Sequence, residues 1–254
     1  MNHNPFSLEG KRILVTGASS GIGKAIAIEC AKMGANVILS ARNLERLQET
    51  RQMILDLKLQ IEDFQEPLII PADLTDAEQR AALVEACPGL DGVVLNAGIG
   101  HTKMIAFLTE KDMDEVFPID VYAPILLLKA LVKKKRINRG ASVVFMSSAA
   151  TQRADVGNAL YGAAKAAIAS FSKTCAIELA DKKIRVNSIH PGMVETPLKD
   201  NMPFSQEDFE ADKQRYLLKR YGQPEEIAYG AIYLLSDASA WVTASQLIID
   251  GGRQ

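Results

Sequence analysis

Short runs of almost unbroken apolar residues alternate along the chain with longer stretches whose apolar positions recur every three to four residues. The short runs lie near residues 12–15, 37–40, 68–70, 92–95, 142–146, 186–189 and 246–249. A strand covered on both faces carries no polar face, so these runs predict strands of a parallel sheet with helices packed on either side. Between them, Ile22, Ala25, Ile26, Cys30 and Met33 mark one helix, and residues 158–180 another. Helix starts are written chemically as capping boxes at Thr75–Glu78, Thr109–Asp112 and Ser205–Asp208, with Pro224 suited to a first helical position. The pattern predicts an α/β fold with a doubly wound, seven-stranded parallel sheet and a ligand beyond the C-terminal strand ends. One stretch breaks the rhythm. Residues 193–221 are polar, include Pro197 and Pro203, follow a strand end, and predict a lid over the ligand face.

Composition narrows the function. A chain of 254 residues suits one domain, here 1–254, with a substantial core. With 29 basic against 31 acidic residues and a net charge of −2, no global field draws it to nucleic acid or a membrane surface. Cys30, Cys87 and Cys175 lack metal-ligand spacing and read as small buried hydrophobes of a reducing compartment, so no metal is expected. No apolar run approaches the ~18 residues of a membrane span, and residues 1–8 carry no leader pattern, so a cytoplasmic protein is expected.

Candidate chemistry begins at the first strand. Thr16-Gly17-Ala18-Ser19-Ser20-Gly21-Ile22-Gly23 joins that strand to the first helix through a glycine-rich turn. Such a turn lets backbone approach a ligand closely, and the helix behind it aims free N–H groups at an anion such as a dinucleotide pyrophosphate. Tyr161 and Lys165 lie one helical turn apart, so both face the same way, and an ammonium beside a phenol favours the phenolate needed for general acid–base work. Ser148 closes the strand at 142–146, Asn96-Ala97-Gly98 closes another, and Pro191-Gly192 a third. All should meet in one crevice.

This combination, in this order and over essentially the whole chain to Asp250-Gly251-Gly252, resembles the short-chain dehydrogenase/reductase family. The resemblance implies a single-domain Rossmann fold and hydride transfer between a nicotinamide dinucleotide and a ketone or secondary alcohol. It implies that Tyr161 exchanges the proton with the substrate oxygen, that Ser148 orients that oxygen, and that Lys165 binds the nicotinamide ribose and favours the phenolate. Gly17, Ser19, Ser20, Gly21, Ile22 and Gly23 would cradle the pyrophosphate. Asp73 and Leu74 would meet adenine; Asn96, Ala97 and Gly98 would border the adenosine; Pro191, Gly192, Val194 and Thr196 would hold the nicotinamide. Among its branches the chain resembles the 3-oxoacyl-acyl-carrier-protein reductases, which implies a homotetramer built on the helices around 123–132 and 159–179, with sugar, steroid or small-alcohol dehydrogenases as the alternative. A dinucleotide-binding regulator without turnover is a third reading, opposed by the intact trio.

Plainer accounts stand beside several of these residues. Arg42, directly after the second strand with no acid from Ser40 to Asn43, suits a 2′-phosphate and hence NADP(H) over NAD(H), although a surface arginine is ordinarily only solvated. Asp73 also suits a helix cap, and Asn96 a pin between strands. His101 is a pocket-lining candidate, whereas His190 suits backbone satisfaction. The run Lys133-Lys134-Lys135-Arg136 complements a helix C-terminus or, alternatively, docks an acidic carrier protein. Asp120 stands where the family usually has a helical Asn supporting the lysine. Either it takes over that task, or Asn138 or a water does.

Overall fold

The computed structural model describes residues 4–59, 64–199, 202 and 204–253; Pro203 of the expected lid lies outside them. The chain alternates β1 (Arg12–Thr16), α1 (Gly21–Lys32), β2 (Asn36–Ser40), α2 (Leu44–Asp56), β3 (Leu68–Ile69), α3 (Ala77–Ala86) and β4 (Leu90–Leu95). It continues with α4 (Glu110–Phe117), a π-helical turn (Pro118–Tyr122), α5 (Ala123–Lys133), β5 (Ile137–Met146) and α6 (Ala159–Glu178). The last part comprises β6 (Arg185–Pro191), α7 (Gln206–Lys213), α8 (Pro224–Leu235) and β7 (Gln246–Ile249).

The strands form one sheet in the order β3-β2-β1-β4-β5-β6-β7, parallel at every pairing. Successive residues of a strand point to opposite faces, and both faces are covered. Ile13, Val15, Val37, Leu39 and Val144 pack with α1, α2 and α8, while Leu14, Ile38, Val93, Val143 and Phe145 pack with α3, α5 and α6. This is why the strands read as unbroken apolar runs. Strand order reverses between β1 and β4, and the turns that follow these two strands diverge to open a crevice.

The structure corrects the expected boundaries in places. The predicted runs fall within the observed strands except at β3, which stops at Ile69; β5 begins earlier, at Ile137, and β6 reaches Pro191. Thr75 does not cap α3; Asp76 does, its carboxylate accepting the N–H groups of Glu78 and Gln79 at 2.8 and 2.9 Å. Cys87 falls just past the end of that helix. The boxes at Thr109 and Ser205 form, and Pro224 opens α8. All three cysteines are buried, and burial pushes the Cys87 thiol up to about 11.

Residues 193–221 are more than a polar connection. Phe209, Tyr216 and Tyr221 meet edge-on and bury against Met193 and Met202, giving the segment a small core of its own around α7.

Candidate active site

A cavity of about 1060 Å³ opens at the C-terminal ends of β1, β4, β5 and β6. Its floor is the turn after β1. Gly17 has φ +68°, and a Cβ there would stand 2.8 Å from the Asn96 amide nitrogen and 3.1 Å from Ala97 Cα, so no other residue fits without displacing the β4 end. Ser20 sits at the N-cap of α1 without a side-chain capping bond, and the first turn carries no acid. The positive end of α1 therefore faces the cavity unneutralised, with Ser19, Ser20, Gly21 and Ile22 in the wall. This is a cradle for an anion, and it fits a dinucleotide pyrophosphate.

Thr16 ties the two central strands together. Its hydroxyl accepts the N–H groups of Asn96 and Ala97 at 2.9 and 3.1 Å and donates to the Val94 carbonyl, while the Asn96 side chain donates to the Thr16 carbonyl at 3.0 Å. Asn96 thus acts as a strand pin, and it also lines the cavity beside Ala97 and Gly98. The pin therefore does not remove Asn96 from the wall. Gly23 packs behind the turn, where a Cβ would collide with the Gly17 carbonyl, and is not itself in the wall.

Ser148, Tyr161 and Lys165 all reach the cavity from β5 and α6. The Ser148 hydroxyl accepts the Ala150 N–H at 3.1 Å. Lys165 Nζ lies 5.6 Å from the centre of the Tyr161 ring and donates to the Met146 carbonyl at 3.4 Å. Asp120 projects from the π-helical turn into the base of this group, with Oδ1 3.6 Å from Lys165 Nζ and accepting the Ile99 N–H at 2.9 Å. A Cβ at Gly98 would strike that carboxylate and come within 3.0 Å of Nζ, so this glycine leaves room for the pair. Burial pulls Lys165 down, but the nearby Asp120 carboxylate and the Tyr161 phenol outweigh it, leaving the lysine above its usual range. Burial raises the Asp120 carboxyl above the usual carboxylate range, against the attraction of Lys165. Asn138 is excluded as a substitute: it sits at the opposite end of β5 and donates to Asp91 at 2.7 Å.

At the adenosine end, Arg42 and Leu74 line the wall. The Asp73 carboxylate instead turns to the hydroxyl and N–H of Thr75, at 2.7 and 2.9 Å. The Thr75 hydroxyl, opposed by partial burial and helped by the Thr75 amide and by Arg42 and Arg80, holds Asp73 below the usual carboxylate range. Pro191, Gly192, Val194 and Thr196 also line the wall, Thr196 close beside Gly21 of the turn.

Arg46 escaped the sequence reading of the cavity, as did the strand-tying role of Thr16, whereas His190 satisfies backbone and hydroxyl groups as expected. Arg46 joins Arg42 in the wall; its one signal is its place at the start of α2, a turn beyond Arg42. Thr16 signals only as a polar residue ending an apolar run. His190 is buried beneath Ser148, with Nδ1 2.9 Å from the Thr151 hydroxyl and 3.1 Å from the Ser148 carbonyl, and Nε2 2.9 Å from the Ser188 hydroxyl. Burial lowers its pKa despite the bond to Ser148, so the ring is neutral near pH 7 and supports the backbone that carries Ser148. His101 lines the cavity and faces Asp112 at 3.2 Å, where Lys103 also binds. Lys134 and Arg136 of the basic run both pair with Glu85. Among the described residues no cluster could hold a metal ion, and no helix is long and apolar enough to cross a membrane.

The family model described as Enoyl-(Acyl carrier protein) reductase matches residues 17–254. The chain is 32% identical over 247 residues to a 3-oxoacyl-[acyl-carrier-protein] reductase of Rickettsia conorii, covering 97% of this chain and 98% of that one. It is 34% identical over 255 residues to an L-xylulose reductase of Caenorhabditis elegans, covering 97% of each. The chain belongs to the short-chain dehydrogenase/reductase family. A solved structure from Agrobacterium tumefaciens, described as a 2-deoxy-D-gluconate 3-dehydrogenase with bound NADP, matches with a TM-score of 0.87 and 32% identity, over 98% of each chain. As a family member the protein is an oxidoreductase acting on CH–OH and C=O groups through a nicotinamide dinucleotide.

Proposed function

We propose that the protein is an NADP(H)-dependent ketone reductase in which Ser148, Tyr161 and Lys165 do the chemistry. The observation that carries this reading is the trio facing one cavity whose far end holds two guanidiniums, Arg42 and Arg46, and no carboxylate in the wall beside them. A 2′-phosphate is recognised by such a pair through charged, forked hydrogen bonds. Bound nicotinamide supplies or takes up the hydride. The protein's own part is to place and move a proton. Ser148 donates a hydrogen bond that fixes the substrate oxygen, Tyr161 gives that oxygen its proton in reduction and removes it in oxidation, and Lys165 favours the phenolate between turnovers while binding ribose hydroxyls. Asp120 serves as the buried counter-charge that keeps Lys165 in place.

A 3-oxoacyl thioester is one substrate class, supported by the Rickettsia relative and by Lys133 and Lys135 beside the Glu85-paired residues as a surface for an acidic carrier. Sugar-derived ketones are the second, supported by the xylulose reductase and the gluconate dehydrogenase. A reducing, cytoplasmic setting agrees with three unpaired, buried cysteines. The test follows absorbance with NADPH and NADH over a panel of 3-oxoacyl thioesters, ketoses and keto-acids. Catalytic efficiency is expected to favour NADPH, and Arg42→Ala to remove about 1.5–3 kcal/mol of that preference, the worth of a charged hydrogen bond. Equal efficiency with both cofactors in the parent overturns the cofactor assignment.

A further inference from the structure

At the substrate end of the cavity, three separate parts of the chain meet in a charged cluster that the proton chemistry does not use. Arg253, beyond β7, lies between two carboxylates from different elements. One of its terminal nitrogens donates to Asp155, in the loop between Ser148 and α6, and the other to Asp212 of α7 at 2.7 Å. The guanidinium also lies 5.6 Å from the centre of the Tyr216 ring. Arg215 adds looser pairs, 3.7 Å to Asp155 and 3.5 Å to Asp212. The backbone runs alongside. Leu217 and Leu218 donate N–H groups to the carbonyls of Gly252 and Gly251, each at 3.3 Å, and Tyr216 bridges Arg253 in antiparallel fashion.

Asp155, Asp212, Arg215 and Arg253 all line the same cavity as Ser148 and Tyr161. The Arg253 side chain is 13% exposed, against 24% for Asp155 and 22% for Asp212. Partial removal from water and a two-pronged geometry separate this link from an ordinary surface ion pair. A planar guanidinium sets the separation of two carboxylates as a point-charge ammonium cannot. We propose that Arg253 is a positioning residue that fixes the width of the substrate end by clasping α7 to the loop after Ser148, and so decides how large a ketone the site accepts. This rests on the oxidoreductase reading above. Without Arg253, Asp155 and Asp212 are linked among the described residues through the looser Arg215 pairs, and α7 moves outward.

The experiment compares the full chain with Arg253→Ala and Arg253→Lys, using NADPH and two probe ketones of different bulk, ethyl acetoacetate and ethyl benzoylacetate. In Arg253→Ala, KM for the small ester is expected to rise about tenfold with kcat little changed, so that its efficiency relative to the bulky ester falls by a similar factor. Arg253→Lys should lie between the two, and NADPH affinity, read by its fluorescence, should stay within about twofold because the cofactor end is untouched. Hydrogen exchange at the Leu217 and Leu218 amides should accelerate about tenfold in Arg253→Ala. An unchanged size ratio overturns the proposal, including when exchange accelerates, since Arg253 would then only steady the segment after β7. A parent that binds NADPH and reduces neither ester counts against the catalytic reading; exchange then decides the clasp alone, and unchanged Leu217 and Leu218 amides overturn it.

Discussion

Asp120 and Lys165 form a nearly dry pair beside the Tyr161 phenol, the group proposed to move the proton, so the charge of one side chain is felt by the next. With Asp120 ionised, the ammonium field at Tyr161 is partly cancelled. Asp120→Asn keeps the volume and the Ile99 contact but removes that charge. Asp120 is the largest influence holding Lys165 above its usual range, so without it the ammonium is lost at lower pH, and the alkaline limb of turnover in Asp120→Asn should move to lower pH, with an active, folded enzyme. Asp120→Ala should be clearly slower, because Lys165 loses its anchor. The measurement is a pH–rate profile at saturating cofactor, and superimposable profiles would remove Asp120 from the proton path. Tyr161→Phe supplies the companion test: turnover should fall about 10²–10⁴-fold while NADPH binding persists, because a proton donor is lost with little change of shape. Near-parental turnover would place the proton source elsewhere.

The elements most legible in the sequence are those whose physics is local. Strands such as β1 stand out because Ile13 and Val15 meet one core and Leu14 the other, which leaves no polar position to hide the run. The caps at Thr109 and Ser205 are equally local. At Thr75 the same logic misses by one residue, since Thr75 and Asp76 both suit a cap and only the Asp73–Thr75 hydrogen bonds decide which is free to serve. The π-helical turn is less legible still: Pro118–Tyr122 continues a helical pattern, and the extra residue shows only in the Ala123 N–H reaching the Pro118 carbonyl. That turn carries Asp120, so the motif located the residue without revealing how it is aimed. Contacts between distant segments, as at Arg253, leave no trace in spacing at all. The Asp76 cap gives a test at this scale. Asp76→Ala should cost about 1 kcal/mol, lowering Tm by about 2–4 °C, with kinetic constants unchanged because the cap stands outside the cavity wall. Altered cofactor affinity would show instead that α3 braces the Leu74 wall.

At the scale of the whole molecule, two of the regions that expose apolar side chains lie outside the cavity wall. One lies over the α4–α6 layer, with Met113, Tyr122, Leu126 and Ile177 exposed, Ile177 to 76%. The other surrounds α8 and the β7 edge, with Tyr229, Ile248 and Trp241, the last 99% exposed. If each face pairs with its own copy about a two-fold axis, the two together close a tetramer of dihedral symmetry, whereas one face alone stops at a dimer. The helices on the first face, α5 and α6, also hold the Asp120 turn and the Tyr161–Lys165 pair, so assembly there would brace the site from behind. Light scattering on the parent should then give about 110 kDa, four chains of 27.6 kDa. Leu126→Glu with Ile177→Glu should leave dimers joined at the β7 side, and Trp241→Glu should leave dimers joined at the helical side. If bracing matters, only the first pair of substitutions should lower turnover. A parent mass of one chain would refute the assembly, and equal turnover in both sets of dimers would show that the site stands without help from a neighbour.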